Sequence, residues 1–181
     1  ASAEGMVGLV SCSGMGIEEP DTVPYGGRHR APLNTNPISG AFPGGESGPL
    51  TFDFATTTMS GSKIIMSSLG LIDVVPGAIV DRDGIPTTDP EKFEAGGAHT
   101  PFGGHKGYAL LVGIEVLGRV LSGADDFSSE SNGSRGCGHQ GVTMIVLRAD
   151  VFRPLEEFTN DVDTLITDLR LIEPAEPFKE V

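Results

Sequence analysis

PFGGHKGYALLVGIEVLGRVL, residues 101–121, decides the reading of this chain. Its first seven residues, Pro101–Gly107, hold three glycines and present His105 and Lys106. Tyr108–Leu121 is apolar on nearly every side apart from Glu115 and Arg119. The pattern predicts a helix inside the domain, with Gly123 placed to end it. Glycines let backbone approach a ligand, and a helix N-terminus offers unpaired N–H groups carrying partial positive charge. Lys106 and His105 add donors at the same spot, so the segment reads as an anion site suited to a pyrophosphate. The plain alternative is a glycine turn before a buried helix, with Lys106 merely solvated. It is not a Walker A loop, which needs Ser or Thr where this chain has Gly107, and it is not a GxGxxG turn.

Working outward, Gly8–Ser13 reads as a short buried strand, and Gly14–Arg30 as a loop held irregular by Pro20, Pro24 and Gly26–Gly27. Leu33–Gly45 is turn-rich with room for a short strand. Leu50–Thr57 alternates apolar and polar residues, so a strand ends near Thr56. Ser60–Leu69 reads as a short helix. Ala78–Asp81 reads as a strand entering a turn at Asp83–Gly84, and Thr87–Pro90 as a cap or turn. Ala124–His139 is a polar loop and Val142–Leu147 a buried strand. Leu155–Leu171 is an amphipathic helix with Leu155, Phe158, Val162, Leu165, Ile166 and Leu169 on one face. Glu156, Glu157 and Arg170 suit its dipole. The sum is a single α/β domain over 1–181 with a mixed sheet, no linker and no internal repeat.

Composition narrows the function classes. The 181 residues carry 25 acidic and 12 basic side chains, a formal charge of −13, with 38% hydrophobic residues. Such a balance argues against a nucleic-acid binder, which needs a basic patch. It is also poor in lysine, as in proteins from high-salt or GC-rich sources. No apolar run approaches the ~20 residues of a membrane span, and the N-terminal sequence lacks signal-peptide features. A cytoplasmic location is the default expectation. Cys12 and Cys137 lie far apart without metal-ligand spacing and are expected as reduced, half-buried thiols. His29, His99 and His139 fall in predicted loops without partners, so no metal site is expected.

Two further segments bear on chemistry. In LTFDFATTTMSGSK (Leu50–Lys63), a carboxylate at a strand end followed by hydroxyls and glycine suits hydrogen bonding to a ribose or a carboxamide. The bland reading is an N-cap for the next helix. NTNP (Asn34–Pro37), after YGGRHR, is an amide-rich turn that ordinarily serves only as an Asx-turn.

Taken in order, VPYGG (Val23–Gly27), NTNP, DFATT (Asp53–Thr57), GSK (Gly61–Lys63), VPGAIVDRDGIPTTDP (Val75–Pro90) and PFGGHKG resemble the malate/L-lactate dehydrogenase family of the non-Rossmann type. That family includes ureidoglycolate and sulfolactate dehydrogenases and cyclic imino-acid reductases. The resemblance covers about residues 4–172. It implies an α/β fold with a mixed, mainly seven-stranded sheet and flanking helices, not a GxGxxG Rossmann fold. It implies hydride transfer between NAD or NADP and a 2-hydroxy acid, its 2-oxo partner, or a cyclic imine. By resemblance Ser13, Asp53, Phe54, Ala55, His105 and Lys106 contact the cofactor, and Thr35, Gly61 and Ser62 the substrate.

The departures are specific. Asn34 replaces the glycine of the family's GTNP. The family's general-acid histidine precedes the strand with which this sequence begins, so no catalytic residue is assigned here. The expectation is a cofactor platform, inactive alone, completed in a homodimer or by a complementary chain. The alternative is a non-catalytic nucleotide- or partner-binding module derived from that family. Lys63 stands where the imino-acid reductases carry an acid, which favours an open-chain 2-hydroxy or 2-oxo acid over a cationic iminium.

Overall fold

The computed structural model describes residues 1–13, 21–124 and 140–180. Much of the predicted loops at 14–30 and 124–139, with Cys137 and His139, lies outside the described residues. The strands are β1 (Met6–Ser13), β2 (Ile38–Phe42), β3 (Leu50–Phe54), β4 (Ile79–Val80), β5 (Pro86–Thr87), β6 (Ala98–His99) and β7 (Gly141–Arg148). The helices are α1 (Gly61–Ser68), α2 (Pro90–Glu94), α3 (His105–Glu115, continued by a π-turn over Val116–Val120) and α4 (Leu155–Arg170).

These strands form two sheets, one of four in the order β3-β2-β1-β7 and one of three in the order β5-β4-β6. That corrects the single seven-stranded sheet implied by resemblance. The cause is local. β4, β5 and β6 are two residues long and close on one another in antiparallel register, Ile79 facing both Thr87 and His99. The turn between β4 and β5 is tied by Asp81 N to Ile85 O at 2.9 Å and by the Asp81 carboxylate, which accepts from Asp83 N and Ile85 N. Asp89 then caps α2 by accepting from Glu91 N, with Pro90 at the first helical position.

Two compact units make up the chain. Ala1–Val10, Ser39–Asp53 and Met144–Val181 form the first. Within it, Gly40 leaves room for the Phe52 ring and Leu9, and Phe42 packs on Phe52 at 6.3 Å. α4 presents Asp163, whose carboxylate accepts from the backbone N–H groups of Gly45, Glu46 and Ser47 at 2.7–3.4 Å. The predicted helix is therefore present, but none of its residues is buried, and Leu165 and Leu169 stand open. β7 departs further from expectation. The run read as a buried strand is a sheet edge, with Met144 70%, Val146 53% and Leu147 48% exposed. With one neighbouring strand and no cover among the described residues, its apolar side chains stay open on both faces.

Ser11–Ile38 and Phe54–Thr143 form the second unit. Ile64 of α1 packs with Met59, Val74, Ala78 and Ile79, flanked by Ile72 and Phe93. Val23, Val80 and Ala98 make a second apolar cluster. α3 buries Leu111, Ile114 and Glu115 on one face only. Val116, Leu117, Val120 and Leu121 remain exposed, so the helix is not buried all round as its sequence predicts.

In its π-turn, Leu121 N bonds Val116 O at 2.8 Å. There Gly118 lies directly against Gly141 and Ser13: a Cβ on either glycine would run into the other's carbonyl. A Cβ on Gly118 would overlap the buried Ser13 hydroxyl first and then the Gly141 carbonyl, a backbone atom that cannot rotate away. Gly118→Ala is therefore expected to destabilise the protein by about 2–3 kcal/mol through overpacking, read as a lowered urea midpoint. The same substitution at Gly113, whose Cβ position is open, is expected to be stabilising or neutral.

Candidate cofactor site

The 101–107 loop is bound to its surroundings by main-chain bonds. Phe102 N donates to Thr56 O at 3.0 Å, Thr58 N donates to Thr100 O at 2.9 Å, and Thr57 pairs with Pro101. The Phe102 ring meets Phe54 edge-on at 5.6 Å. Gly103 and Gly104 take φ of 57° and 62°, left-handed values that an L side chain rarely adopts. Through this turn α3 begins at His105, three residues before the predicted Tyr108. His105 and Lys106 thus occupy the first helical turn, both exposed. No side chain caps this end, so its first N–H groups remain available. Tyr25 of the YGG segment lies over Gly104 and meets the His105 ring at 6.0 Å.

β3 ends at Phe54, two residues before the predicted Thr56, because the following threonines turn inward. Asp53 is exposed at the end of the strand in the first unit. Phe54 is 42% exposed and Ala55 half-buried. Thr56, fully buried, donates its hydroxyl to Thr35 O at 2.9 Å and Asn36 O at 3.0 Å, and its N–H to Thr35 O at 2.8 Å. These bonds fasten NTNP to DFATT. Thr35 is half-buried, and its own hydroxyl has no partner among the described residues. Gly61 and Ser62 open α1, where Ser62 shares a hydrogen bond with Ser60. Ser13 is 2% exposed, and its hydroxyl is directed at Glu115 O, 3.5 Å away.

The second unit therefore joins YGG, NTNP, FATT and PFGGHKG through direct contacts, with GSK a few residues further along the chain from FATT. Sequence reasoning missed the residues that join them. Asn36, 1% exposed, donates to Leu111 O at 3.1 Å and to Glu115 Oε2 at 2.7 Å. Glu115, 4% exposed, pairs one turn further on with Arg119 at 2.5 Å. A lone acid four residues before an arginine in an apolar helix was the available signal. His99 was read as a loop residue, yet it lies on β6 and is fully buried. Among the described residues, no three His, Cys, Asp or Glu side chains are grouped to hold a metal. No helix there is long and apolar enough to cross a membrane. Cys12 is a free thiol and accepts from Gln140 Nε2 at 2.6 Å.

The family model described as malate/L-lactate dehydrogenase matches residues 1–181, and the chain belongs to that family. It is 37% identical over 164 residues to L-sulfolactate dehydrogenase of Methanocaldococcus jannaschii, covering 89% of this chain and 46% of that protein. A solved structure of sulfolactate dehydrogenase from the same organism superposes with a TM-score of 0.82 at 32% identity, covering 99% of this chain and 51% of that one. Identity reaches 40% over 139 residues with the Delta(1)-pyrroline-2-carboxylate/Delta(1)-piperideine-2-carboxylate reductase of Pseudomonas putida, covering 77% and 38%. It is 32% over 184 residues with ureidoglycolate dehydrogenase (NAD(+)) of Escherichia coli K12, covering 100% and 50%. The chain spans half or less of the length of these curated relatives.

His99 makes the second unit sensitive to acid. Burial holds its pKa below the ordinary 6.5; Asp21, 3.8 Å away, pulls it back up and Arg30 pushes it down. The folded state thus favours the neutral ring. Its contribution is complete above pH 6.5 and is lost as the pH falls from there toward the lowered folded value. Wild-type stability is expected to decline between pH 7.5 and 5.5, by at most about 1.4 kcal/mol per pH unit from this group. Urea titrations at the two pH values are expected to show a smaller decline for His99→Leu.

Proposed function

We propose that this chain supplies the cofactor-binding part of an NAD(P)-dependent oxidoreductase that moves hydride to or from a 2-hydroxy or 2-oxo acid. One observation carries the reading: exposed Lys106 and His105 stand in the uncapped first turn of α3, on a glycine turn fastened to the FATT and NTNP segments. A nicotinamide dinucleotide carries a pyrophosphate, and uncapped helical N–H groups beside a lysine suit that charge. In this reading Lys106 and His105 meet the cofactor phosphates. Asp53, Phe54, Ala55 and Ser13 line the remainder of the cofactor, and Thr35, Gly61 and Ser62 line the substrate. The Thr35 hydroxyl, without a partner among the described residues, and exposed Ser62 fit contacts of that kind. Asp53–Ala55 offers a carboxylate, a ring face and a small residue in succession. The bound dinucleotide supplies or accepts the hydride, and this chain's residues hold and orient it. Residues 1–181 are proposed to act as one cofactor-binding domain, in a homodimer or with a complementary chain.

Titration with NADH or NADPH, followed by fluorescence, tests this directly. Saturable binding is expected, and Lys106→Ala is expected to weaken it by roughly 1.5–3 kcal/mol through loss of charge-assisted bonds to phosphate. No binding at millimolar cofactor by a chain folded by circular dichroism would refute the reading.

No proton donor is assigned within the chain, and absence of a general acid typically slows such chemistry by ~10²–10⁴-fold. The 181-residue chain alone is expected to show no turnover of oxaloacetate, pyruvate or ureidoglycolate. Lys63, exposed on α1 two residues beyond Gly61, disfavours a cationic substrate. In the active assembly that contains this chain, kcat/KM is therefore expected to be higher for at least one open-chain acid than for piperideine-2-carboxylate. The reverse ranking would assign the site to cyclic imines.

A further inference from the structure

The carboxylate of Glu115 lies in the interior of an otherwise apolar helix face, with 4% of the residue exposed. A buried acid is retained against a desolvation penalty, so what it holds is informative. One oxygen meets Arg119, which screens the charge from within the same helix. The other accepts from Asn36 Nδ2 at 2.7 Å, while the same amide donates to Leu111 O, one turn earlier. Asn36 is the one non-glycine residue with positive φ among those described, at 35°. That conformation places Asn36 O and Thr35 O side by side, where both accept from the Thr56 hydroxyl. The turn is thus gripped on one side by α3 and on the other by the segment after β3.

We propose that Glu115 is a positioning residue: by holding the Asn36 amide it fixes the 34–37 turn against α3, and so sets where the Thr35 hydroxyl stands relative to the helix that begins with Lys106. The assignment of Thr35 to substrate rests on the functional reading above; the tie between Glu115 and the turn does not. Glu115 itself touches neither reactant. Its loss displaces a substrate contact while leaving the phosphate end of the same helix in place. Substrate and cofactor affinities are therefore expected to separate.

The test compares Glu115→Ala, Glu115→Gln and Asn36→Gly in the active assembly that contains this chain. Glycine tolerates φ of 35°, so Asn36→Gly removes the tie without straining the backbone. In Asn36→Gly and Glu115→Ala, amide exchange in the peptide spanning 33–38 is expected to accelerate at least tenfold. KM for oxaloacetate is expected to rise at least fivefold, with NADH Kd changed less than twofold. Glu115→Gln, whose amide oxygen still accepts from Asn36, is expected to restore KM to within about threefold of wild type. Unchanged exchange at 33–38 in Asn36→Gly would overturn the proposal, as would KM and Kd moving together or a Gln variant as damaged as the Ala variant. Should Glu115→Ala fail to fold, Asn36→Gly decides the matter by the same measures. If the wild-type protein binds no NADH, the functional reading falls, and exchange alone decides the tie.

Discussion

The second unit depends on the placement of one side chain, Asn36, in a left-handed backbone conformation and almost wholly out of water. A buried amide without partners is costly, and a non-glycine residue at positive φ adds strain of about 1–3 kcal/mol. Each N–H of the amide has an acceptor on α3 and the adjoining carbonyls are taken by Thr56, which offsets part of this cost, while the amide oxygen has no partner among the described residues. The consequence is long range. Residues 34–37, 54–57 and 101–115 are brought together by these polar bonds alongside the Phe54–Phe102 ring contact. Such polar knots specify geometry more sharply than apolar packing does, since a hydrogen bond fails within a few tenths of an ångström.

Much of this was legible in the sequence, for particular reasons. α1 reads as a short helix and α4 announces itself by periodicity and end charges, while α2 falls where the sequence suggests only a cap or turn, Asp89 supplying that cap. The motif order carries the family, and several of its glycines, Gly26, Gly77, Gly84, Gly103 and Gly104, take the positive φ that their positions require. Misreadings came where burial was inferred from apolarity alone. Val142–Leu147 and the outer face of α3 are apolar yet exposed, since burial requires a partner surface and a sequence window does not report one. β1, β2, β3, β4 and β7 fall in stretches read as strands, whereas β5 lies in a stretch read as a cap or turn and β6 in one read as a loop. Two-residue strands carry too little pattern to show with what they pair.

The candidate site was readable as a set of positions and not as a mechanism of assembly. Lys106, Asp53 and Thr35 follow from motifs. Glu115, Asn36 and Thr56 do not, because their partners are about 20 and 80 residues away along the chain. His99 shows the same limit from another side: spacing marked it as a loop residue, whereas β4 on one side and Asp21 and Phe93 around its ring make it interior.

The open face of β7 bears on how the chain behaves as a colloid. An apolar edge strand offers unpaired N–H and C=O groups to any second strand that approaches. What holds copies apart is mutual repulsion from a net charge of −13. That repulsion reaches about 10 Å at 0.1 M salt and only about 3 Å at 1 M. Raising ionic strength therefore removes the barrier to edge pairing while leaving the apolar attraction intact. Despite an acidic, lysine-poor composition of the kind found in salt-loving proteins, this chain by itself should stay dispersed in dilute buffer and associate in brine.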